Sequence, residues 1–288
     1  MTSKKAYVIG TNVSTSLSPI IFKYWFDKYN ILGEYEYIEI KENNFHKEIK
    51  TILRDDSLCG LNITIPFKEK IIPHLTKINR HAKKIMAVNC VTKKKGLIFG
   101  KNTDWLGFYN ALTDFKKTPK QSRAKMKNNI GIVLGYGGAG KAVVYALNHM
   151  GFKTIKVFNR TFEKIKNINK ETNNWLPTSK TTITPHIIED LSKHTLTADL
   201  IVNTIPTNIV EGLKYESKKI TNKNTIGVDI IYKPKNGTGF LNSFFSSNRM
   251  QGLSMLIHQA APCFEEWFGI EPEIDSGLFS YLYKNGEI

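Results

Sequence analysis

Two stretches of this chain hold residues whose types and spacing could do chemistry. In "IGIVLGYGGAGKAVVYALNHMG" (130–151), Gly135, Gly137 and Gly140 form G-x-G-x-x-G. The apolar run Ile132, Val133, Leu134 reads as a strand ahead of it, and "AVVYALNHM" (142–150) reads as a helix behind it with Gly151 at its C′ position, which is the order a dinucleotide loop requires. Such glycines permit a tight turn and let backbone approach a pyrophosphate, while the helix N-terminus offers free N–H groups and a positive dipole end. The next strand, "TIKVF" (154–158), runs into Asn159, Arg160 and Thr161. An NAD site usually places an acidic residue about 20 positions beyond the loop to hold the ribose 2′-hydroxyl. Arginine and a hydroxyl there, with Lys164 one turn on, suit a 2′-phosphate instead, so these residues favour NADP over NAD. The plainer reading is a helix N-cap followed by solvated charges; against it, Arg160 is one of only five arginines.

The second stretch is "LNITIPFKEK" (61–70). The alternation Leu61, Ile63, Ile65 predicts a half-buried strand of period two, broken by Pro66 and followed at once by Lys68. A lysine in that position is ordinarily a solvated loop residue, and position alone gives it no task.

The elements that must hold these residues read as α/β. "AYVIG" (6–10), "YEYIEI" (35–40) and "GLNITI" (60–65) are predicted strands. Between them, "IIFKYWFDKYN" (20–30), with Pro19 at its start, and "FHKEIKTIL" (45–53) have helical spacing, giving βαβαβ and a mainly parallel sheet. A polar segment, "TDFKKTPKQSRAKMKNN" (113–129), reads as a helix end and an exposed connection, after which "TADLIVNTIP" (197–206) and "TIGVDIIY" (225–232) supply further strands and "LSMLIHQAAPCFEEWFG" (253–269) a helix. At 288 residues the chain is long for one core, so two domains are expected, the nucleotide domain spanning about 105–250.

Composition narrows the function classes. Hydrophobic residues at 41% and charged residues at 23% describe an ordinary globular chain. No apolar run approaches the roughly 18 residues of a membrane span, and the opening "MTSKKAYVIG" lacks a secretory h-region, so a cytoplasmic protein without membrane contact is expected. Cys59, Cys90 and Cys263 show neither C-x-x-C nor a neighbouring His pair, which suggests reduced thiols and no metal site. The net charge of +16 raises a nucleic-acid reading, but the excess is lysine spread along the chain with no recognition motif; a preference for anionic small molecules fits better.

Three stretches of the first half, "STSLSP" (14–19), "NITIPFKEK" (62–70) and "AVNC…NTDWLGF" (87–108), together with "GYGGAG", "NRT", "DIIYKP" (229–234) and "LSMLIHQAA" (253–261), resemble the shikimate dehydrogenase family over nearly the whole chain. The resemblance implies an N-terminal α/β substrate domain of residues 1–104 joined by returning C-terminal helices, 251–288, and a Rossmann-type doubly wound NADP-binding domain of residues 105–250. It implies Lys68 and Asp104 as the catalytic pair, and Ser16, Ser18, Asn62, Thr64, Asn89, Tyr232 and Gln259 as substrate-binding residues, the two serines holding a carboxylate. For the cofactor it implies Gly135, Tyr136, Gly137, Gly138 and Ala139 in the loop, Asn159, Arg160, Thr161 and Lys164 around the 2′-phosphate, and Ile230 and Gly252 beside the nicotinamide. The implied reaction is the reversible NADPH-dependent reduction of 3-dehydroshikimate to shikimate, in a cleft between the two domains of a monomer or homodimer. An NAD-using quinate/shikimate dehydrogenase and a non-enzymatic regulator on the same fold stand as alternatives; the regulator would be expected to lose Lys68 or Asp104. The chain departs from the common family pattern at Asn12, Thr15, Trp105 and Tyr136.

Overall fold

The computed structural model describes residues 4–118, 127–175, 181–205, 222–232 and 238–285. Part of the polar connection expected at 113–129, together with Pro206 and residues 233–234, lies outside the described residues. The backbone contacts divide the chain into two units, Met1–Gly107 with Leu256–Ile288, and Phe108–Met255.

The first unit is built on β1 (Lys4–Gly10), β2 (Gly33–Glu39), β3 (Leu58–Ile63), β4 (Lys77–Ile78), β5 (Cys90–Lys94) and β6 (Leu97–Lys101), in the sheet order β2-β1-β3-β5-β6-β4. Helix α1 (Ser18–Tyr29) connects β1 to β2, and α2 (Phe45–Ile52) connects β2 to β3. Pro19, whose ring presets the helical φ and whose missing N–H is not needed in a first turn, opens α1; Asn30, at φ 51°, closes it in the left-handed conformation. The strands β2, β1 and β3 are parallel, whereas β5 runs antiparallel to both β3 and β6. The β5–β6 hairpin is the part the βαβαβ reading misses. Lys94 pairs with Leu97 across Lys95 and Gly96, both at positive φ, as a two-residue turn matched to strand twist demands; the Lys-Gly step between two strand-like runs is its sequence signal.

Strand β3 corrects the expected alternation. It lies between β1 and β5 and is covered on both faces, so Leu61, Asn62 and Ile63 are all buried, and it ends at Ile63, leaving Ile65 at 59% exposure. A strand covered on both faces has no solvent face for alternate residues to meet.

Among the described residues this unit also holds α3 (Arg80–Ile85), the start of α4 (Asp104–Lys117) and, at the other end of the chain, the two C-terminal helices treated below. In the second unit, β7 (Ile130–Leu134), β8 (Thr154–Asn159), β9 (Thr182–Ile187), β10 (Leu200–Asn203), β11 (Ile226–Asp229) and β12 (Arg249–Gln251) form a wholly parallel sheet of order β12-β11-β10-β7-β8-β9. Read from β9, that is the 3-2-1-4-5-6 order of a doubly wound dinucleotide fold, with its topological switch between β7 and β10. Helix α5 (Gly138–His149) follows β7 and buries Ala142, Val143, Val144, Ala146 and Leu147; it begins four residues earlier than the apolar spacing predicts, because the glycine-rich residues form its first turn. Ile132, Leu134, Phe158, Ile201, Phe240 and Phe244 make one core cluster. Among the described residues this unit also holds α4 from Phe108 onward and the short α6 (Ile168–Thr172) and α7 (Gly239–Asn242).

Helix α8 (Leu253–Phe268) leads back into the first unit, and α9 (Ser276–Asn285) follows it there. Phe264 lies 5.6 Å from Phe22 and 5.2 Å from Trp25 of α1, Trp267 stacks on Phe22 at 5.7 Å, and Phe26 meets Phe268 edge-on at 4.8 Å. Each such pair adds about 0.5–1.5 kcal/mol beyond the area it buries. This aromatic packing fixes the helix that carries Gln259.

Candidate active site

In the first unit, the segment after β3 sets the position of Lys68. Thr64 N–H donates to the Ile9 carbonyl at 2.9 Å, Phe67 N–H donates to Thr64 at 2.9 Å, and the Phe67 ring is fully buried and stacked on Phe45 at 4.1 Å. The Lys68 carbonyl then accepts the Val88 N–H at 2.8 Å. With its backbone fixed on both sides, Lys68 turns its side chain inward to 13% exposure and donates from Nζ to Asp104 Oδ2 at 2.6 Å. Asp104 is the first residue of α4, where free N–H groups favour a carboxylate.

Asn89 joins this pair to its surroundings. Its Oδ1 accepts the Thr103 N–H at 2.6 Å, and its Nδ2 lies 2.9 Å from both Thr103 Oγ1 and Asp104 Oδ1 and 3.0 Å from Gln259 Oε1. An amide nitrogen has two hydrogens for those three acceptors, so the bonds are shared. Gln259 donates from Nε2 to the Leu256 carbonyl at 3.0 Å. Both Asp104 oxygens are thus engaged, one by an ammonium and one by an amide, in a setting where Asn89, Thr103, Asp104 and Gln259 are each buried. Trp105, the neighbour of Asp104, stacks on His81 of α3 at 4.8 Å.

Ser16 lies in the loop between β1 and α1, and Ser18 is the first residue of α1. Ser16 Oγ accepts the Ser18 N–H at 3.2 Å, and the loop that carries them is held by Glu39 Oε1, which accepts the N–H groups of Val13 and Ser14, both at 2.9 Å. No motif marks Glu39. The hydrogen bonds from Ser14 and then Val13 hold its carboxyl below the usual carboxylate range. This anchor is therefore complete above the ordinary glutamate pKa and is lost as pH falls through the lower folded-state value. Glu39→Ala is expected to raise the Michaelis constant for a carboxylate substrate about threefold or more while leaving kcat close to the parent value, as loss of uniform binding does. An unchanged constant in steady-state assays would show that the loop needs no such anchor.

In the second unit, Gly135 has φ +92°, and a Cβ there would meet Thr204 Oγ1 at 2.8 Å; a Cβ on Gly140 would meet the Gly135 carbonyl oxygen at 2.4 Å. Both positions therefore exclude side chains. A Cβ on Gly137 would meet nothing within 4 Å. The first turn of α5 carries no acidic residue and no side-chain cap, so its N–H groups and an open loop face can receive a pyrophosphate. Gly138 and Ala139 belong to that first turn. Tyr136 is buried against the loop, its hydroxyl 3.4 Å from Glu171 Oε2 and its ring 5.8 Å from Lys141 Nζ.

Past β8, Asn159 Nδ2 donates to the Thr161 carbonyl at 3.0 Å and shapes the turn. Arg160, Thr161 and Lys164 are exposed, and neither cation is bonded to any described residue. Two uncommitted cations and a hydroxyl beside the loop fit the phosphate of NADP. Ile230 and Gly252 adjoin so closely that a Cβ on Gly252 would lie 1.9 Å from the Ile230 carbonyl oxygen. The segment holding Ile230 is organised by Asp229, a residue not singled out from the sequence. Asp229 Oδ1 accepts from Ile231 N–H and Asn203 Nδ2 at 3.1 Å each, Oδ2 accepts from Thr238, and burial pushes its carboxyl up. Tyr232 lies in the second unit, past the end of β11; the structure gathers the other proposed substrate residues within the first.

Residues 8–91 match the family model described as the shikimate dehydrogenase substrate binding domain, and residues 117–236 match that of shikimate / quinate 5-dehydrogenase. The chain is 33% identical over 280 residues to a shikimate dehydrogenase (NADP(+)) of Staphylococcus epidermidis, covering 95% of this chain and 94% of that protein. Among solved structures, a shikimate dehydrogenase in complex with NADP+ superposes with a TM-score of 0.80 at 27% identity over 98% of this chain and 96% of that one. The Thermus thermophilus shikimate 5-dehydrogenase in complex with NADP(H) and shikimate gives 0.78 at 27% identity over 98% and 99%.

Proposed function

The chain belongs to the shikimate dehydrogenase family, and from that premise we infer that it catalyses the reversible NADPH-dependent reduction of 3-dehydroshikimate to shikimate. The observation that carries the residue roles is the part-buried Lys68–Asp104 contact at 2.6 Å, tied through Asn89 to Gln259.

NADPH supplies the hydride that adds to the ketone carbon. As the C=O bond is reduced, negative charge builds on oxygen, and a positioned acid must meet it. Lys68 Nζ delivers the proton, so the products are the alcohol, oxidised cofactor and neutral Lys68, which regains a proton from solvent before the next turnover. Asp104 aims the ammonium and accepts from a ring hydroxyl. Asn89 keeps the Asp104 carboxylate in one orientation, which spares the site reorganisation during the step. Ser16 and Ser18 bind the substrate carboxylate through their neutral hydroxyl donors. Arg160, Thr161 and Lys164 bind the 2′-phosphate, and the start of α5 binds the pyrophosphate.

The reaction is tested by following NADPH and NADH oxidation with 3-dehydroshikimate, and NADP and NAD reduction with shikimate and with quinate. NADPH with 3-dehydroshikimate is expected to be the best pair; preference for quinate and NAD would replace this reading with the quinate/shikimate one. The carboxylate contact has its own test. Ser16→Ala and Ser18→Ala should each raise the Michaelis constant for shikimate, by about tenfold for the roughly 1.5 kcal/mol of a hydrogen bond to a charged group, with little change in kcat. If both constants stay at the parent value, the carboxylate is bound elsewhere.

A further inference from the structure

We propose that Tyr35 and Cys263 are positioning residues for the Lys68–Asp104 pair, acting through Asn62 and Asn89, and that Asn62 works from behind the site instead of on the substrate. The proposal rests on the reading of Lys68 and Asp104 as the proton-handling pair.

The amide of Asn62 is committed inside the protein. Its Oδ1 accepts the Tyr35 hydroxyl proton at 2.7 Å, and its Nδ2 donates to the Asn89 carbonyl at 3.1 Å and to Cys263 Sγ at 3.3 Å. Both amide hydrogens are thereby used, and none is left to donate to a ligand. Turned over, the amide would set its oxygen against the Asn89 carbonyl, acceptor to acceptor. The phenol proton on Oδ1 adds to the preference for the observed orientation. Asn62 is 5% exposed, Tyr35 7% and Cys263 0%, so each of these bonds lies out of water, where a missing partner is costly.

From Asn62 the chain of contacts is short. The Asn89 carbonyl also accepts the Ile63 N–H at 2.9 Å, and its own N–H donates to Lys101 at 3.1 Å, which fixes its backbone between β3 and β6. The Asn89 side chain then holds Thr103 N–H at 2.6 Å and Asp104 Oδ1 at 2.9 Å. Cys263 ties in α8: its thiol donates to the Gln259 carbonyl at 3.3 Å and lies 3.6 Å from Thr103 Oγ1. A shift at Asn62 therefore moves the carboxylate that aims Lys68. Catalysis is sensitive to such shifts, since misplacement by about 1 Å can cost roughly 10²-fold in rate.

Tyr35→Phe isolates the effect, because the ring stays stacked on Phe22 at 3.8 Å and only the hydroxyl is lost. Full-length Tyr35→Phe, Cys263→Ala, Cys263→Ser and Lys68→Met would be assayed with 3-dehydroshikimate and NADPH, alongside melting temperature and the primary isotope effect with NADPH deuterated at the transferred position. Tyr35→Phe is expected to lower kcat by about 5- to 20-fold, a fraction of the misplacement limit, with the Michaelis constant within about twofold of the parent and a larger isotope effect on kcat. Cys263→Ala should shift the same quantities in the same direction, and Cys263→Ser, which keeps a donor and an acceptor, should restore them. An unchanged kcat in folded Tyr35→Phe and Cys263→Ala overturns the proposal. So does a raised Michaelis constant at normal kcat, which would put Asn62 on the substrate, and so does a lowered kcat without change in isotope effect, which would reflect loss of active protein. If Lys68→Met remains active, the pair itself is misread and the relay falls with it; if Lys68→Met is inactive and Tyr35→Phe is normal, the relay alone fails.

Discussion

Lys68→Met is expected to fold, to bind substrate with modest change, and to turn over at least ~10²-fold more slowly than the parent, the lower end for loss of a general acid or base. Methionine keeps the length of the side chain and removes its charge, which separates proton delivery from packing. Asp104→Asn should also impair turnover. On the proposed reading the two groups act as one unit, so the double variant should be scarcely slower than the worse single one. Stability should follow another order. With side-chain exposures of 13% and 7%, Lys68→Met alone leaves the Asp104 carboxylate buried without its cation. That costs toward or below the lower end of the roughly 3–5 kcal/mol seen when one partner of a buried pair is removed. The Lys68→Met/Asp104→Asn double variant removes the orphaned charge and should melt higher than Lys68→Met while staying as inactive. Near-normal turnover in folded Lys68→Met would reduce the contact to a structural ion pair.

Arg160→Ala should weaken NADP binding by about 1.5–3 kcal/mol, the scale of a lost charge-assisted hydrogen bond. In affinity that is roughly 10- to 150-fold at 1.4 kcal/mol per decade, with NAD barely affected. Arg160 is exposed, so the difference should shrink as salt is raised and the charges are screened. Titration of both cofactors against parent and variant reads the outcome directly. Equal losses for the two would remove Arg160 from the 2′-phosphate.

The cofactor half of this protein was legible in its sequence because its determinants are local. A tight turn at Gly135, a close approach at Gly140 and a helix starting beside them are consecutive in the chain, and a backbone at φ +92° with no room for a Cβ leaves its mark as glycine. Arg160 and Lys164 stand one strand further on, and as exposed cations they depend on little else. The substrate half was legible only as a set of motifs whose purpose came from family resemblance. Lys68 itself, read by position, was a loop lysine. What makes it otherwise is a partner 36 positions away and an amide between them that also reaches Gln259, 170 positions from Asn89.

The chain by itself determined the α/β class, most of its strands and helices, the dinucleotide loop and the preference for a 2′-phosphate. Period and turn chemistry act over a few residues, and composition records them directly. Only the tertiary structure decided that β3 is covered on both faces, which buries Asn62, and ends at Ile63, which leaves Ile65 exposed, and that α8 packs on α1 so that Gln259 and Cys263 face Asn62, Asn89 and Thr103. It also decided that Glu39 and Asp229, to which the sequence alone assigned no role, pin the loop before α1 and the turn after β11. These are contacts between residues far apart in sequence. Each residue alone is an ordinary glutamate, aspartate, tyrosine or cysteine, and its role exists only once the two sheets have formed and brought its hydrogen-bond partner within 3 Å or so.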